Sequence, residues 1–271
     1  MSSLLGFGDT RYSTDENKLQ DALESLKAYL ASEGVPGIYR PSRPYLIWDR
    51  GIMWTCMGTC GAVWLLWQIA LKSGRLPLIP IRYQETQTKT RLREWLTTNF
   101  TCKTEDVRRG RWWTMVLAAF SHIDFAHLVS NLSAFSSFSK YLMFVGIAPH
   151  RFVALILGSA LSGSLAATYH QALMEKQEHV QRRSLGMSAV CMGLIAAVAV
   201  LSPNATMSPM NLGRMPAWMA AFSYVLFDTY MIGSPTSMTG HPAHVGGAIF
   251  GAAYSCIALR GRLPLAEWLW K

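Results

Sequence analysis

Residues 52–71 read IMWTCMGTCGAVWLLWQIAL and carry no charge. At 1.5 Å per residue such a run makes a helix of about 30 Å, the thickness of a bilayer's hydrocarbon core. It confines the chain to few architectures, because in lipid every backbone polar group needs an internal partner and a helix supplies all of them. Further apolar blocks lie at about 124–145, 152–172, 187–202, 217–233 and 243–260, separated by joints bearing Pro, Gly or charge. The expected fold is therefore all-α: a polytopic membrane protein with a six-transmembrane-helix core and an interfacial loop after the first helix. Composition agrees, since 51% of residues are apolar and 15% charged, against about 25% charged in soluble domains. Ten Trp and ten Tyr suit the headgroup boundary.

The expected organisation is an N-terminal soluble or interfacial segment 1–47, a membrane domain 48–262 and a short tail 263–271. Ser13 and Glu16 form a capping box before an amphipathic helix with Leu19, Ala22, Leu23, Leu26 and Leu30 on one face, ended by Gly34 and Pro36. Asp15, Glu16, Asp21 and Glu24 argue against a transit peptide, and no signal-peptide pattern is present. Residues 72–120 hold Pro77, Pro80 and the run Arg108-Arg109-Gly110-Arg111-Trp112-Trp113, too polar to cross but aromatic enough to lie in the interface. The fourth and sixth blocks are rich in Ala, Gly and Ser, which places them inside a bundle.

The formal charge is +9, but the basic residues sit mostly between apolar blocks, the largest group running from Lys72 to Arg111. That pattern suits anionic lipid and argues against a nucleic-acid partner. Cys56, Cys60, Cys102, Cys191 and Cys256 show no paired metal spacing, so neither a disulfide framework nor a metal is expected, and no cofactor is implied. Oligomeric state stays open.

Polar groups with chemical potential gather at the starts of the second, fourth and sixth spans, three helix beginnings that face the same side of the membrane. The fourth opens Ser184-Leu185-Gly186-Met187-Ser188-Ala189. It puts a Ser beside the unpaired N–H groups of a helix start, where an attacked carbonyl's oxyanion would find donors. The sixth carries His244, Gly247 and Gly251 at i, i+3 and i+7, an imidazole above two glycines on one face. Such a small-xxx-small pair admits a neighbouring helix closely enough for a Ser–His hydrogen bond. The second supplies His127 and Asn131 on one face, both able to donate to an oxyanion, with His122 at its mouth, placed either there or to position the interfacial loop. Asp228, near the end of the fifth block, is expected to face the aqueous mouth outside the site.

His122, His127 and Asn131 before the second span, Gly186-Met187-Ser188-Ala189 at the fourth and Ala243-His244 with Gly247 and Gly251 at the sixth together resemble the rhomboid family of intramembrane serine proteases. The resemblance implies a six-helix core cleaving single-span membrane protein substrates in the lipid bilayer. Ser188 would be the nucleophile and His244 the base, with His127, Asn131 and the Ser188 N–H holding the oxyanion and Gly186, Gly247 and Gly251 supporting the packing. Three positions depart from the family's usual pattern. Ala189 stands where Gly is common, adding a methyl that would slow activity. Trp113-Thr114 stands where the loop usually carries Trp-Arg, leaving the loop without that anchor. Met192 replaces a Tyr that stacks on the His in many bacterial members. At these last two points, and at Phe120-Ser121-His122 and Ser184-Leu185-Gly186, the chain is similar to the mitochondrial presenilin-associated rhomboid-like group. That implies the mitochondrial inner membrane, with a secretory-pathway membrane as the alternative and glycosylation of Asn99 as its test. The acidic N-terminus and the lack of that group's extra leading span argue against mitochondria.

The residues leave two rival functions. One is a catalytically inactive rhomboid-like protein that binds transmembrane clients, and retention of Ser188 with His244 argues against it. The other is a metal-binding channel or transporter using His122, His127, His241 and His244, which lack a carboxylate or thiolate of suitable spacing.

Overall fold

The computed structural model describes residues 43–71, 87–178, 183–207, 213–232, 234 and 240–260. The helix expected within 1–47 and the tail 263–271 lie outside them, except that the first helix, α1 (Arg43–Ala70), already begins at Arg43. Pro44 explains that early start, because its fixed φ and missing N–H suit a helix's first turn.

The interfacial loop is helical in pieces: α2 (Gln87–Asn99), α3 (Thr104–Arg108) and α4 (Thr114–Leu117), the last running into a 3-10 turn at Ala118–Phe120. Then come α5 (Phe125–Phe144), α6 (Pro149–Glu178), α7 (Ser188–Leu201), α8 (Ala217–Met231) and α9 (His241–Tyr254), which ends in a π turn at Ser255–Leu259. A two-residue ribbon, β1 (Thr206–Met207) with β2 (Met215–Pro216), is antiparallel and joins α7 to α8.

Leu46–Ala70, Pro149–Glu175 and His241–Leu259 are each long and apolar enough to cross a membrane. Thr114–Phe120 and Phe125–Phe144 qualify together, bent by 98° between them. The segment just before the second block thus continues into it as a broken helix. The break falls where Ser121 and His122 leave helical geometry and Asp124 caps α5, accepting the His127 N–H at 2.8 Å. The chain is an all-α polytopic membrane protein.

At 1.5 Å per residue, the 14 residues of α7 span only about 21 Å. Protein covers the shortfall, since nearly every residue from Ala189 to Leu201 is buried among α5, α6, α8 and α9. A helix apolar on all sides belongs in such a position. α9 lies close against α7, because a methyl at Gly247 would overlap the Ala189 carbonyl and one at Gly251 the Gly193 carbonyl.

Candidate active site

Ser188 opens α7, and no side chain caps that helix, so its first-turn N–H groups stay available to a ligand. The backbone before it turns through Gly186 at φ +118°, a conformation that favours glycine. A side chain at Gly186 would also meet the His127 ring, with its Cβ 2.8 Å from Cε1. The Gly186 N–H donates to the Ala118 carbonyl at 2.9 Å, and the Met187 N–H to His122 Nε2 at 3.2 Å. His122, two residues before the Asp124 cap of α5, thus positions the chain entering Ser188. Because a backbone N–H only donates, His122 Nε2 is the acceptor in this bond.

Ser188, His244, His127 and Asn131 line one cavity of about 1430 Å³. Asn131 is buried and spends one amide N–H on the His127 carbonyl at 2.9 Å, leaving its second for the cavity. His127 packs edge-on against His122, ring centroids 5.1 Å apart.

Asp228 corrects the sequence reading. It is 4% exposed rather than at an aqueous mouth, and its Oδ1 lies 2.9 Å from His244 Nδ1 and 2.5 Å from His241 Nδ1. Its own block gave no sign of this, because the packing of α8 against α9 decides which helix face Asp228 presents to the imidazoles. His241 meets the His244 ring edge-on, with centroids 6.1 Å apart. An imidazole therefore supplies a ring contact to His244, while Met192 sits buried in the cavity wall.

Asp228, His241 and His244 also bring three ligand atoms within 4.8 Å of one another, so the missing carboxylate of the metal reading is present after all. The spacing favours protons. Ligands about 2.0–2.1 Å from a tetrahedral zinc stand roughly 3.3 Å apart, whereas these N···O separations are those of hydrogen bonds. His122 and His127 form a separate ring pair.

The other two departures have structural answers. The Ala189 methyl faces Gly163 of α6, where an added Cβ would come within 2.5 Å of it, so Gly163 makes room for the extra carbon. The loop is anchored without Trp-Arg. Asp106, fully buried, pairs with Arg111 and with Arg183, whose Nη1 lies 3.0 Å away. The same Arg183 nitrogen donates to the Thr97 carbonyl at 3.1 Å and Thr101 Oγ1 at 2.8 Å. Beside it, Cys102 and Ser184 exchange backbone hydrogen bonds of 2.9 and 2.8 Å. The interfacial loop is thereby fastened to the strand of chain that leads into Ser188.

Residues 109–261, more than half of the chain, match the Rhomboid domain. The chain is 26% identical over 179 residues to the RHOMBOID-like protein 12, mitochondrial, of Arabidopsis thaliana, covering 62% of this chain and 53% of that one. It is 28% identical over 145 residues to Rhomboid protein 1, mitochondrial, of Saccharomyces cerevisiae, covering 52% of this chain and 40% of that one. It is 30% identical over 142 residues to Presenilin-associated rhomboid-like protein A, mitochondrial, of Danio rerio, covering 52% and 36%. The chain thus spans about half or less of the length of these relatives. With that match and the helical membrane core described above, the chain belongs to the rhomboid family.

Proposed function

We propose that this chain is an intramembrane serine endopeptidase with Ser188 as nucleophile and His244 as base, cleaving single-span membrane proteins. The observation that carries the reading is the close approach of α9 to α7 at Gly247 and Ala189, next to Ser188 and one turn from His244, with both polar residues on one cavity. His244 takes the Ser188 proton, and Oγ attacks a peptide carbonyl. The oxyanion meets the Ser188 N–H, His127 and the second Asn131 N–H. His244 then protonates the leaving amine, and water releases the acyl-enzyme.

Water has a route, since Ser130, Ser133 and Ser137 of α5 line the same cavity. Tyr224 and Phe227 of α8 form its other side, and α8 packs chiefly on α7 and α9. A substrate helix would enter between α5 and α8 and unwind there, exposing a bond that helical geometry protects. The names of the three relatives support a mitochondrial membrane, and the inner one is proposed.

The test is cleavage of a single-span substrate in detergent by wild type, Ser188→Ala, His244→Ala and Asn131→Ala. Expected is loss of product with the first two variants and a fall in kcat of about 100-fold with the third. Equal product from wild type and Ser188→Ala overturns the reading.

A further inference from the structure

We infer that Asp228 is a positioning residue for His244, with His241 holding Asp228 in place, so that the hydrolytic centre is a Ser–His–Asp arrangement braced by a second imidazole. This rests on the protease reading above and adds two residues to it. Asp228 and His241 are both buried, and one carboxylate oxygen meets two imidazole Nδ1 atoms at 2.9 and 2.5 Å. An ionised carboxylate only accepts hydrogen bonds, so both Nδ1 atoms carry their protons. His244 then has its lone pair on Nε2, which is the atom that must receive the Ser188 proton.

The proton balance closes within these groups. The Ser188 O–H bond breaks as Nε2–H forms, giving an imidazolium whose Nδ1–H stays on Asp228. The same proton passes from Nε2 to the leaving amine nitrogen as the C–N bond breaks. Asp228 stays ionised throughout and offsets the imidazolium charge.

His241 is needed because an ionised carboxylate in a membrane protein's interior is costly with one donor. As the first residue of α9, it shares Oδ1 with His244 three residues later. Its ring also meets Phe227, the residue before Asp228, edge-on with centroids 6.0 Å apart. These contacts set the α8 face that carries Asp228 against the start of α9.

The experiment measures kcat and KM in detergent for wild type, Ser188→Ala, Asp228→Asn, Asp228→Glu and His241→Gln, alongside fluorophosphonate labelling of Ser188. Expected for Asp228→Asn is a fall in kcat and labelling rate of about 100-fold or more with KM within about threefold. Asp228→Glu should recover about tenfold of that, and His241→Gln should fall about tenfold. Asp228→Asn within threefold of an active wild type overturns the inference and leaves the protease reading standing. A wild type no faster than Ser188→Ala overturns the protease reading itself. Should Asp228→Asn not fold, histidine 15N spectra of the wild type decide. A protonated Nδ1 with a bare Nε2 on His244 supports the inference, and the opposite tautomer overturns it.

Discussion

His122 Nε2 accepts the backbone N–H of Met187 at 3.2 Å, one residue before Ser188. His122 is fully buried, and a proton on Nε2 would abolish the bond. Losing that acceptor would leave the Met187 N–H buried without a partner, a cost of about 1–3 kcal/mol. His122→Leu should therefore lower Tm in detergent and reduce cleavage, whereas His122→Gln, which keeps an acceptor, should retain more of both. Equal Tm for wild type and His122→Leu would contradict a structural role for this bond.

The contact of Gly247 with Ala189 predicts a steep steric response. Gly247→Val has no room against the Ala189 carbonyl and should cost about 3 kcal/mol or more, seen as a lowered Tm with lost cleavage. Gly163→Ala should also destabilise, because its Cβ would meet both the Ala189 methyl and, at 2.8 Å, the Ala243 carbonyl. Adding Ala189→Gly should restore part of that loss, since it removes one of the two clashes. A double variant no more stable than Gly163→Ala would contradict this packing.

Asp106 predicts a contrast between two arginines. Arg183→Ala strips a donor from a buried carboxylate and should cost about 2–4 kcal/mol, loosening the join to Ser184 and lowering kcat. Arg108→Ala breaks a pair with Glu175 in which Arg108 is largely exposed, and Tm should move by less than about 1 kcal/mol equivalent. Similar Tm losses for the two would contradict a buried anchor at Asp106.

The sequence by itself determined the membrane class and the helical core, because a bilayer demands apolar runs of fixed length and tolerates few others. Residues 52–71 carry that signal without reference to anything distant. It also determined that His244, Gly247 and Gly251 share a face, since helical periodicity is a local property. Helix ends were less legible. α1 reaches back to Arg43 because the hydrogen-bond ladder continues through polar residues, whereas apolar blocks were delimited by charge. Only the tertiary structure decided the partners. Asp228 reaches His241 and His244 across the link between α8 and α9, and Asp106 meets Arg183 across 77 positions. No periodicity encodes such pairings. The rotation of each helix about its axis sets them, and packing of the whole bundle sets that rotation, so a lone acid in an apolar block gains its place beside an imidazole only when the helices close around it.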